Sequence, residues 1–167
     1  TDKKINRQVR KTDTYNGEVN MKYSLDVKTS SHTQMLDITK DIEKIVKESK
    51  IRNGTCTVFI PHTTAAVTIN ENADPDVQKD FIKTINKIVP WEDDYLHMEG
   101  NSAAHLKASM IGFSEQIIIE EGRLLLGTWQ GIYFIEFDGP RNRKVWVGIL
   151  ADQKSANGRQ ETTDGSE

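Results

Sequence analysis

Two β-rich runs, an interrupting proline and a helix start follow one another in Thr55-Cys-Thr-Val-Phe-Ile-Pro-His-Thr-Thr-Ala-Ala-Val-Thr-Ile-Asn-Glu-Asn-Ala-Asp-Pro-Asp-Val77. The runs at 55–60 and 65–70 predict strands, because β-branched and apolar residues are concentrated in them. Proline cannot donate to a sheet ladder, so the proline between the runs predicts a bulge or a strand end. The Asp-Pro pair that follows is typical of a helix N-terminus.

Upstream of this stretch, residues 19–27 alternate apolar and polar side chains, which predicts a half-buried strand. Apolar residues then recur at helical spacing, which predicts an amphipathic helix that covers a sheet. Asn53-Gly54 is expected to end this helix. The apolar positions of the predicted helix are Met35, Ile38, Ile42, Ile45 and Val46.

Downstream, an apolar stripe predicts a second helix that starts at Asp74-Pro75 and stops at Pro90. An acidic loop is expected over 91–102 and a short third helix over 103–111. The rest of the chain predicts strands, the last two joined by a hairpin-like turn at 139–142. These strands are expected at 116–120, 124–126, 131–138 and 144–150.

Runs of strands with helices grouped between them predict an α+β fold. We expect largely antiparallel β-sheet layers, two longer helices and one short helix in a single domain. The domain is expected to span 18–150, after an N-terminal extension at 1–17. Residues 151–167 are polar and aperiodic, which predicts a mobile polar tail.

Composition narrows the functional class of this 167-residue chain. A net charge of −3 without a basic stripe argues against nucleic-acid binding. No long apolar run predicts a membrane span or a signal peptide, so the cytoplasm is the expected compartment. A domain of this size needs no structural metal, so a bound metal is expected to be functional. The single cysteine, Cys56, lies in an apolar run and is expected to be a buried small hydrophobe.

Three of the four histidines, His62, His97 and His105, lie in or near polar segments. Imidazole suits zinc and other first-row divalent ions, and three protein ligands with an open position are typical of catalytic sites. We therefore expect a divalent metal ion, with zinc and magnesium not distinguished. The spacing also allows a simpler interpretation, in which His62 bonds a backbone carbonyl and His105 is a core residue.

Glu71 is the carboxylate that the sequence most favours for chemistry, as a general base or as a ligand. It follows the second predicted strand, whereas Asp74 has a structural role as the expected N-cap of a helix. Asp76 lies in the first helical turn, where it complements the helix dipole. His62 is the second expected catalytic group.

Glycines flank polar and aromatic side chains in Leu126-Gly-Thr-Trp-Gln-Gly131. Such a segment could bring its backbone close to a ligand, with hydrogen bonds from Thr128 and Gln130 and stacking on Trp129. It could equally mark a bend in a strand. Arg141 and Arg143 could hold phosphate, although residues at a turn are often only solvated.

Several motifs in one order resemble the YjbQ family of small proteins, from about residue 18 to residue 150. They include His62-Thr-Thr-Ala-Ala, Asn70-Glu-Asn-Ala-Asp-Pro-Asp-Val77, Ala104-His-Leu-Lys-Ala-Ser109 and Leu126-Gly-Thr-Trp-Gln-Gly-Ile132. Glu136 and Pro140-Arg141 extend the resemblance.

This resemblance implies a homotrimer with a polar pocket near the subunit boundaries. It also implies a weak, secondary thiamine-phosphate synthase activity, in which a pyrimidine diphosphate is joined to a thiazole phosphate. The ligand is then expected to be a small phosphorylated molecule. The expected substrate-binding residues are Asn70, Asp74, Asn101, Gly127, Thr128, Trp129, Gln130, Arg141 and Arg143.

Two functional hypotheses follow, and a purely structural assembly protein is a third. In the first, the protein is a transferase that uses a metal or cationic side chains to neutralise a pyrophosphate leaving group. In the second, it is a non-catalytic module that binds a metal or an anion. Replacing Glu71 by glutamine separates the first two, because only an enzyme has turnover to lose.

Overall fold

The computed structural model describes residues 7–8 and 20–152, with side chains from 21 to 152. Most of the predicted extension and tail therefore lies outside the described residues. Two short parts of those regions are described. Residues 7 and 8 pair with the strand at Asn20–Lys28, and Ala151 is the last residue of the final strand.

The described part of the chain forms an α+β domain built from antiparallel sheets and three helices. The elements are β1 Arg7–Gln8, β2 Asn20–Lys28, β3 Gln34–Asp37, α1 Thr39–Ser49, β4 Gly54–Phe59, β5 Ala65–Glu71, α2 Pro75–Ile88, α3 Ser102–Ile111, β6 Ser114–Glu120, β7 Arg123–Leu124, β8 Gln130–Glu136 and β9 Asn142–Ala151. The predicted fold class is confirmed.

The strands form two sheets in which all described pairs are antiparallel. The larger sheet has the order β1-β2-β9-β4-β6-β7, and the smaller one has the order β3-β8-β5. β8 and β9 are therefore inner strands of different sheets. The main core lies where the larger sheet meets α1 and the inner face of β8, and it includes Leu25, Ile42, Val58, Phe134 and Val147.

The region before α1 differs from the predicted helix. Gln34–Asp37 is a strand that pairs with β8, so Met35 lies opposite Ile135 and outside the helix. The helix begins at Thr39, whose backbone N–H donates to Asp37 Oδ1 at 2.8 Å. The backbone groups of β3 are satisfied by hydrogen bonds to β8. The spacing of apolar side chains along the sequence does not reveal this pairing.

Helix α1 also ends earlier than predicted. It stops at Ser49, and Lys50 takes the left-handed conformation with φ of 60°. The predicted stop, Asn53-Gly54, instead starts β4, where Gly54 pairs with Ile119 and Ala151. Lys50 ends the helix, although glycine or asparagine is more common at such a position.

Helix α2 starts as predicted, because Asp74 Oδ1 accepts a hydrogen bond from the Asp76 N–H at 2.9 Å and Pro75 is the first helical residue. Its predicted apolar stripe is only partly buried. Ile85 is the buried residue of this helix, whereas Ile88 is 60% exposed. One side of α2 therefore remains open to solvent.

The predicted hairpin between the last two strands is wrong. Residues 137–141 carry the chain from β8 in the smaller sheet to β9 in the larger sheet. The Thr29 N–H donates to the Arg141 carbonyl at 2.9 Å, which ties this crossing to the end of β2. The predicted strand at 124–126 is also displaced, since β7 is Arg123–Leu124.

Candidate functional site

The predicted site residues are divided between the two ends of β5. Ala65, at the start of β5, pairs with Glu136, and Glu71, at its end, pairs with Gln130. The six residue steps between them correspond to about 20 Å of strand. His62 and Glu71, the two predicted catalytic residues, therefore lie near opposite ends of the smaller sheet.

A buried ion pair lies at the first end. The Arg143 guanidinium donates from Nε to Glu136 Oε2 at 2.8 Å and from Nη2 to Glu136 Oε1 at 2.6 Å. Nη2 also donates to Thr64 Oγ1, and Thr29 Oγ1 donates to Glu136. Arg143, predicted to bind phosphate, is thus only 7% exposed and already holds a carboxylate within its own chain.

His62 lies beside this ion pair in a pocket of about 490 Å³ that Phe59, Phe113 and Arg143 also line. Its Nε2 accepts a hydrogen bond from the Lys144 N–H at 2.9 Å. Burial, and then the positive charge of Arg143, lower the pKa of His62 below its ordinary value of 6.5. The ring is therefore neutral at pH 7 with its proton on Nδ1, which makes Nδ1 a donor and leaves it no lone pair for a metal.

Asn101, Asp138 and Arg141 form a second polar group at the sheet crossing. Asp138 Oδ2 accepts from Arg141 Nη2 at 2.7 Å and from Asn101 Nδ2 at 3.2 Å. Burial acts to raise the pKa of Asp138, but these two hydrogen bonds, together with the positive charges of Arg141 and Arg143, outweigh it and the pKa lies below its usual value. Asn101 Oδ1 is buried and accepts no hydrogen bond from the described residues.

His97 and His105 lie side by side at an open pocket of about 300 Å³ lined also by Tyr95, Ser102 and Leu106. Their ring centroids are 5.4 Å apart and the rings are nearly perpendicular, at 84°. Glu99 Oε2 lies 3.7 Å from His97 Nε2. Among residues 7–8 and 20–152, no three metal-ligand side chains are grouped to hold a metal ion, so one chain does not assemble the predicted triad.

At the Glu71 end of β5, most of the predicted site residues make hydrogen bonds with the backbone of nearby residues. Asn70 Oδ1 accepts from the Glu71 N–H at 2.8 Å, and the Glu71 carbonyl accepts from the Tyr133 hydroxyl at 3.2 Å. Asp74 caps α2. The Glu71 carboxylate makes none of these contacts with the backbone. Of the side chains of Asn70, Glu71 and Asp74, that of Glu71 is therefore the best placed to contact a ligand.

The segment from Gly127 to Gln130 forms a tight turn next to Glu71. Gln130 Oε1 accepts from the Gly127 N–H at 2.8 Å, and the Gln130 N–H donates to the Gly127 carbonyl at 2.9 Å. The turn is tied to β5 because the Asn72 N–H donates to the Trp129 carbonyl. Thr128 and Trp129 project from its tip, with Trp129 64% exposed.

Glu136 and Asp138 are the functional candidates that spacing alone did not predict. Glu136 is the one carboxylate in the otherwise apolar run 132–137, and a buried charge of this kind requires a partner. The isolated charge of Glu136 in this apolar run is the sequence signal that could have identified it as a candidate. Cys56 is fully buried, as predicted, and burial raises the pKa of its thiol to about 12, so it is not a nucleophile at neutral pH.

Comparison with known proteins shows that this fold and its candidate site belong to a class of small α+β domains. The sequence model described as UPF0047 protein YjbQ-like matches residues 23–152. The UPF0047 protein YugU of Bacillus subtilis (strain 168) is 50% identical over 128 residues, which cover 76% of this chain and 97% of that protein. The UPF0047 protein MJ1081 of Methanocaldococcus jannaschii is 46% identical over 135 residues, which cover 81% and 98% of the two chains.

Solved structures agree with the sequence comparison. A YjbQ/UPF0047 family protein from Clostridium acetobutylicum superposes with a TM-score of 0.73 at 58% identity, over 77% of this chain and 98% of that one. A YbjQ-like protein of unknown function from Sulfolobus solfataricus superposes with a TM-score of 0.78 at 33% identity, over 81% and 99%. The chain belongs to the YjbQ-like UPF0047 family. Among its described residues, no helix is long and apolar enough to cross a membrane.

Proposed function

We propose that the protein is a homotrimer whose subunits share pockets for a divalent cation and a small phosphorylated molecule. The observation that carries this proposal is the division of the candidate residues between the two ends of β5. About 20 Å of strand separates them within one chain, so a single pocket that uses both sets needs residues from two subunits. In a cyclic trimer, one end of the sheet in each subunit can face the opposite end in the next.

Exposed apolar side chains beside the histidine pair support this assembly. Leu96 is 96% exposed and Met98 is 100% exposed, on either side of His97. Leu106 and Met110 are exposed one helical turn apart on α3. A cluster of this kind in water is typical of a surface that another protein covers. A neighbouring subunit that covers it would also enclose His97 and His105.

The cation is proposed to bind at His97 and His105, with Glu99 close by and a further ligand from the neighbouring subunit. His62 is left out of this ligand set because the Lys144 N–H already occupies its Nε2. Its neutral ring instead offers a hydrogen-bond donor at Nδ1. This division gives His62 a substrate-orienting role and gives the cation to the two other histidines.

Thiamine-phosphate synthesis is proposed as a side activity of this pocket. The carbon–oxygen bond between the pyrimidine methylene and its diphosphate breaks, the thiazole nitrogen bonds to that carbon, and pyrophosphate leaves with the bonding electrons. The cation and the Arg141 guanidinium would offset the charge on the leaving group. Trp129 and Gln130 would hold the heterocycle by stacking and hydrogen bonding.

A non-catalytic binding module is the second candidate, and the Arg143–Glu136 pair favours it. Both arginines predicted for phosphate binding are held by carboxylates, Arg143 by Glu136 in a buried pair and Arg141 by Asp138 in a more exposed one. A pocket with fewer free cations neutralises a diphosphate less well. In this alternative the same shared site binds its cation and ligand without turnover.

Subunit mixing tests the shared site. Glu71→Gln and His105→Ala variants are each expected to lose pyrophosphate release from the two thiamine precursors. Unfolding and refolding equal amounts together should restore about a quarter of the wild-type sites, because each site draws one residue from each of two neighbours. Sedimentation equilibrium is expected to give three subunits, and elemental analysis about one divalent ion per subunit.

The outcomes separate the candidates. A monomer at micromolar concentration would refute the proposal as a whole. Stoichiometric metal without turnover in the wild type would leave the binding module. Metal that persists in the His97→Ala/His105→Ala variant would refute the assignment of the cation. His32→Ala is the matched control, because the His32 ring contacts Trp91 and does not belong to the proposed ligand set.

A further inference from the structure

One cavity of the described residues has no part in the site proposed above. It has a volume of about 660 Å³ and lies between the C-terminal end of α1 and the turn that joins β6 to β7. Its volume is typical of small-molecule sites, which range from about 300 to 1,000 Å³. Val46, Ile51 and Leu124 supply its apolar lining.

Specific hydrogen bonds fix the walls of this cavity. The Gly122 N–H donates to the Arg52 carbonyl at 2.8 Å, and the Glu121 N–H donates to Asn53 Oδ1 at 3.2 Å. Gly122 has a φ of 81°, a conformation that glycine adopts without strain. The turn is therefore hydrogen-bonded to the segment after α1, and these bonds join the two walls of the cavity.

Cationic side chains dominate the charged lining. Four of them, Lys47, Lys50, Arg52 and Arg123, line the cavity, against the carboxylates of Glu43 and Glu121. This excess contrasts with the net charge of −3 of the whole chain. The two lysines also complement the negative end of the α1 dipole, but Arg52 and Arg123 lie outside the helix, where no dipole accounts for them.

The cavity is remote from both groups of site residues. It adjoins the Gly54 end of β4, whereas His62 follows the opposite end of that strand. The five residue steps of β4 span about 17 Å. The Glu71 end of the smaller sheet adjoins the start of α1, where the Ile132 N–H donates to Thr39 Oγ1, and α1 runs about 15 Å from there to the cavity.

We propose that this cavity binds an organic anion with at least two negative charges and an apolar or aromatic part. The guanidinium groups of Arg52 and Arg123 can each take a phosphate or carboxylate in bidentate fashion. Lys47 and Lys50 add charge at the rim. The apolar side chains between them, on Ile51 and Leu124, would contact the rest of the ligand.

Isothermal titration of the full chain at low ionic strength tests this proposal with two probes, inorganic pyrophosphate and adenosine diphosphate. Both are expected to bind, and the aromatic base should make adenosine diphosphate bind at least about threefold more tightly. In Arg52→Glu/Arg123→Glu, affinity for both probes should fall at least about tenfold. In the milder Arg52→Gln/Arg123→Gln variant, the affinity for both probes should fall less. Circular dichroism checks that both variants fold.

Matched variants complete the test. Lys83→Glu/Lys87→Glu makes the same change in charge on exposed residues of α2 and should leave both affinities within about twofold. His97→Ala/His105→Ala removes the proposed cation ligands of the other site, so probe binding that survives in this variant and is lost in Arg52→Glu/Arg123→Glu belongs to the cavity at the end of α1. Absence of binding to the wild type at millimolar probe, or an equal loss in the α2 control, would overturn the proposal.

Discussion

Arg143 and Glu136 join the two sheets through a buried, bidentate ion pair. Glu136 is the last residue of β8 in the smaller sheet, and Arg143 is the second residue of β9 in the larger one. Thr29 and Thr64 complete the hydrogen bonding from two other segments. The pair therefore fixes the crossing between sheets beside His62, so the geometry of that pocket depends on it.

Removing one partner of this pair should destabilise the fold strongly. Glu136→Ala leaves the buried Arg143 guanidinium without its carboxylate, and we expect the free energy of unfolding to fall by about 3 to 5 kcal/mol. Urea denaturation monitored by circular dichroism measures the change. Asp26→Asn breaks the exposed Lys144–Asp26 pair and should cost no more than about 1 kcal/mol. Equal effects of the two substitutions would contradict the structural role.

Lys107 predicts an unusual dependence of stability on pH. Its ammonium is fully buried, bonds Asn86 Oδ1 at 2.8 Å and lies 3.1 Å from the ring centroid of Trp91. Burial lowers the pKa of Lys107 from 10.5 to about 8. Between these two values the unfolded chain binds more protons than the folded one, so the contribution of this group to stability increases as pH rises.

The Lys107→Met variant isolates this contribution. The difference in urea midpoint between wild type and variant should shift in favour of the wild type from pH 7 to pH 10, and stay constant below pH 7. Lys44→Met, at an exposed position of α1, is the control and should show no such shift. A constant difference for Lys107→Met across the whole range would show that the buried lysine keeps its ordinary pKa.

His62 is expected to titrate at a lower pH than an ordinary histidine. Burial and the Arg143 charge disfavour its protonated form, which places its pKa below 6.5. Stability due to His62 is then complete above pH 6.5 and decreases on acidification below it, because the unfolded chain takes up the proton first. NMR titration of the Cε1 proton measures the value, with assignment by His62→Gln. A pKa above 6.5 would contradict the neutral, donor role.

Sequence patterns correctly predicted the elements whose stabilising contacts lie within a few residues of one another along the chain. The Asp74 cap and Pro75 start α2 as expected, since both act within a single helical turn. The alternation in β2 likewise places Tyr23, Leu25 and Val27 in the core. β3 was not predicted because four residues are too few to show a period of two, and Met35 also fits a helical spacing.

The site could be predicted only in part, because its geometry depends on contacts distant in sequence. Pro140 with its neighbouring glycine resembles a hairpin turn locally, and nothing nearby reveals that the flanking strands enter different sheets. Glu136 and Arg143 were each visible as charged residues, but their pairing follows from that crossing. The sequence places His62 before the strand predicted at 65–70 and Glu71 directly after it, and the extended backbone of that strand keeps the two residues apart in space.

Gly54 is predicted to be indispensable to the larger sheet. It lies in β4 opposite Ala151 of β9, and a Cβ at this position would overlap the Leu150 carbonyl oxygen. Backbone cannot move aside as a flexible side chain can, so Gly54→Ala should lower the free energy of unfolding by about 2 kcal/mol or more.

Gly148 in β9 offers the matched control, since a Cβ there meets no atom within 4 Å. Gly148→Ala should change stability by less than about 1 kcal/mol, in either direction. Urea denaturation of both variants decides the matter, and a neutral Gly54→Ala would mean that β4 and β9 are farther apart than this structure places them.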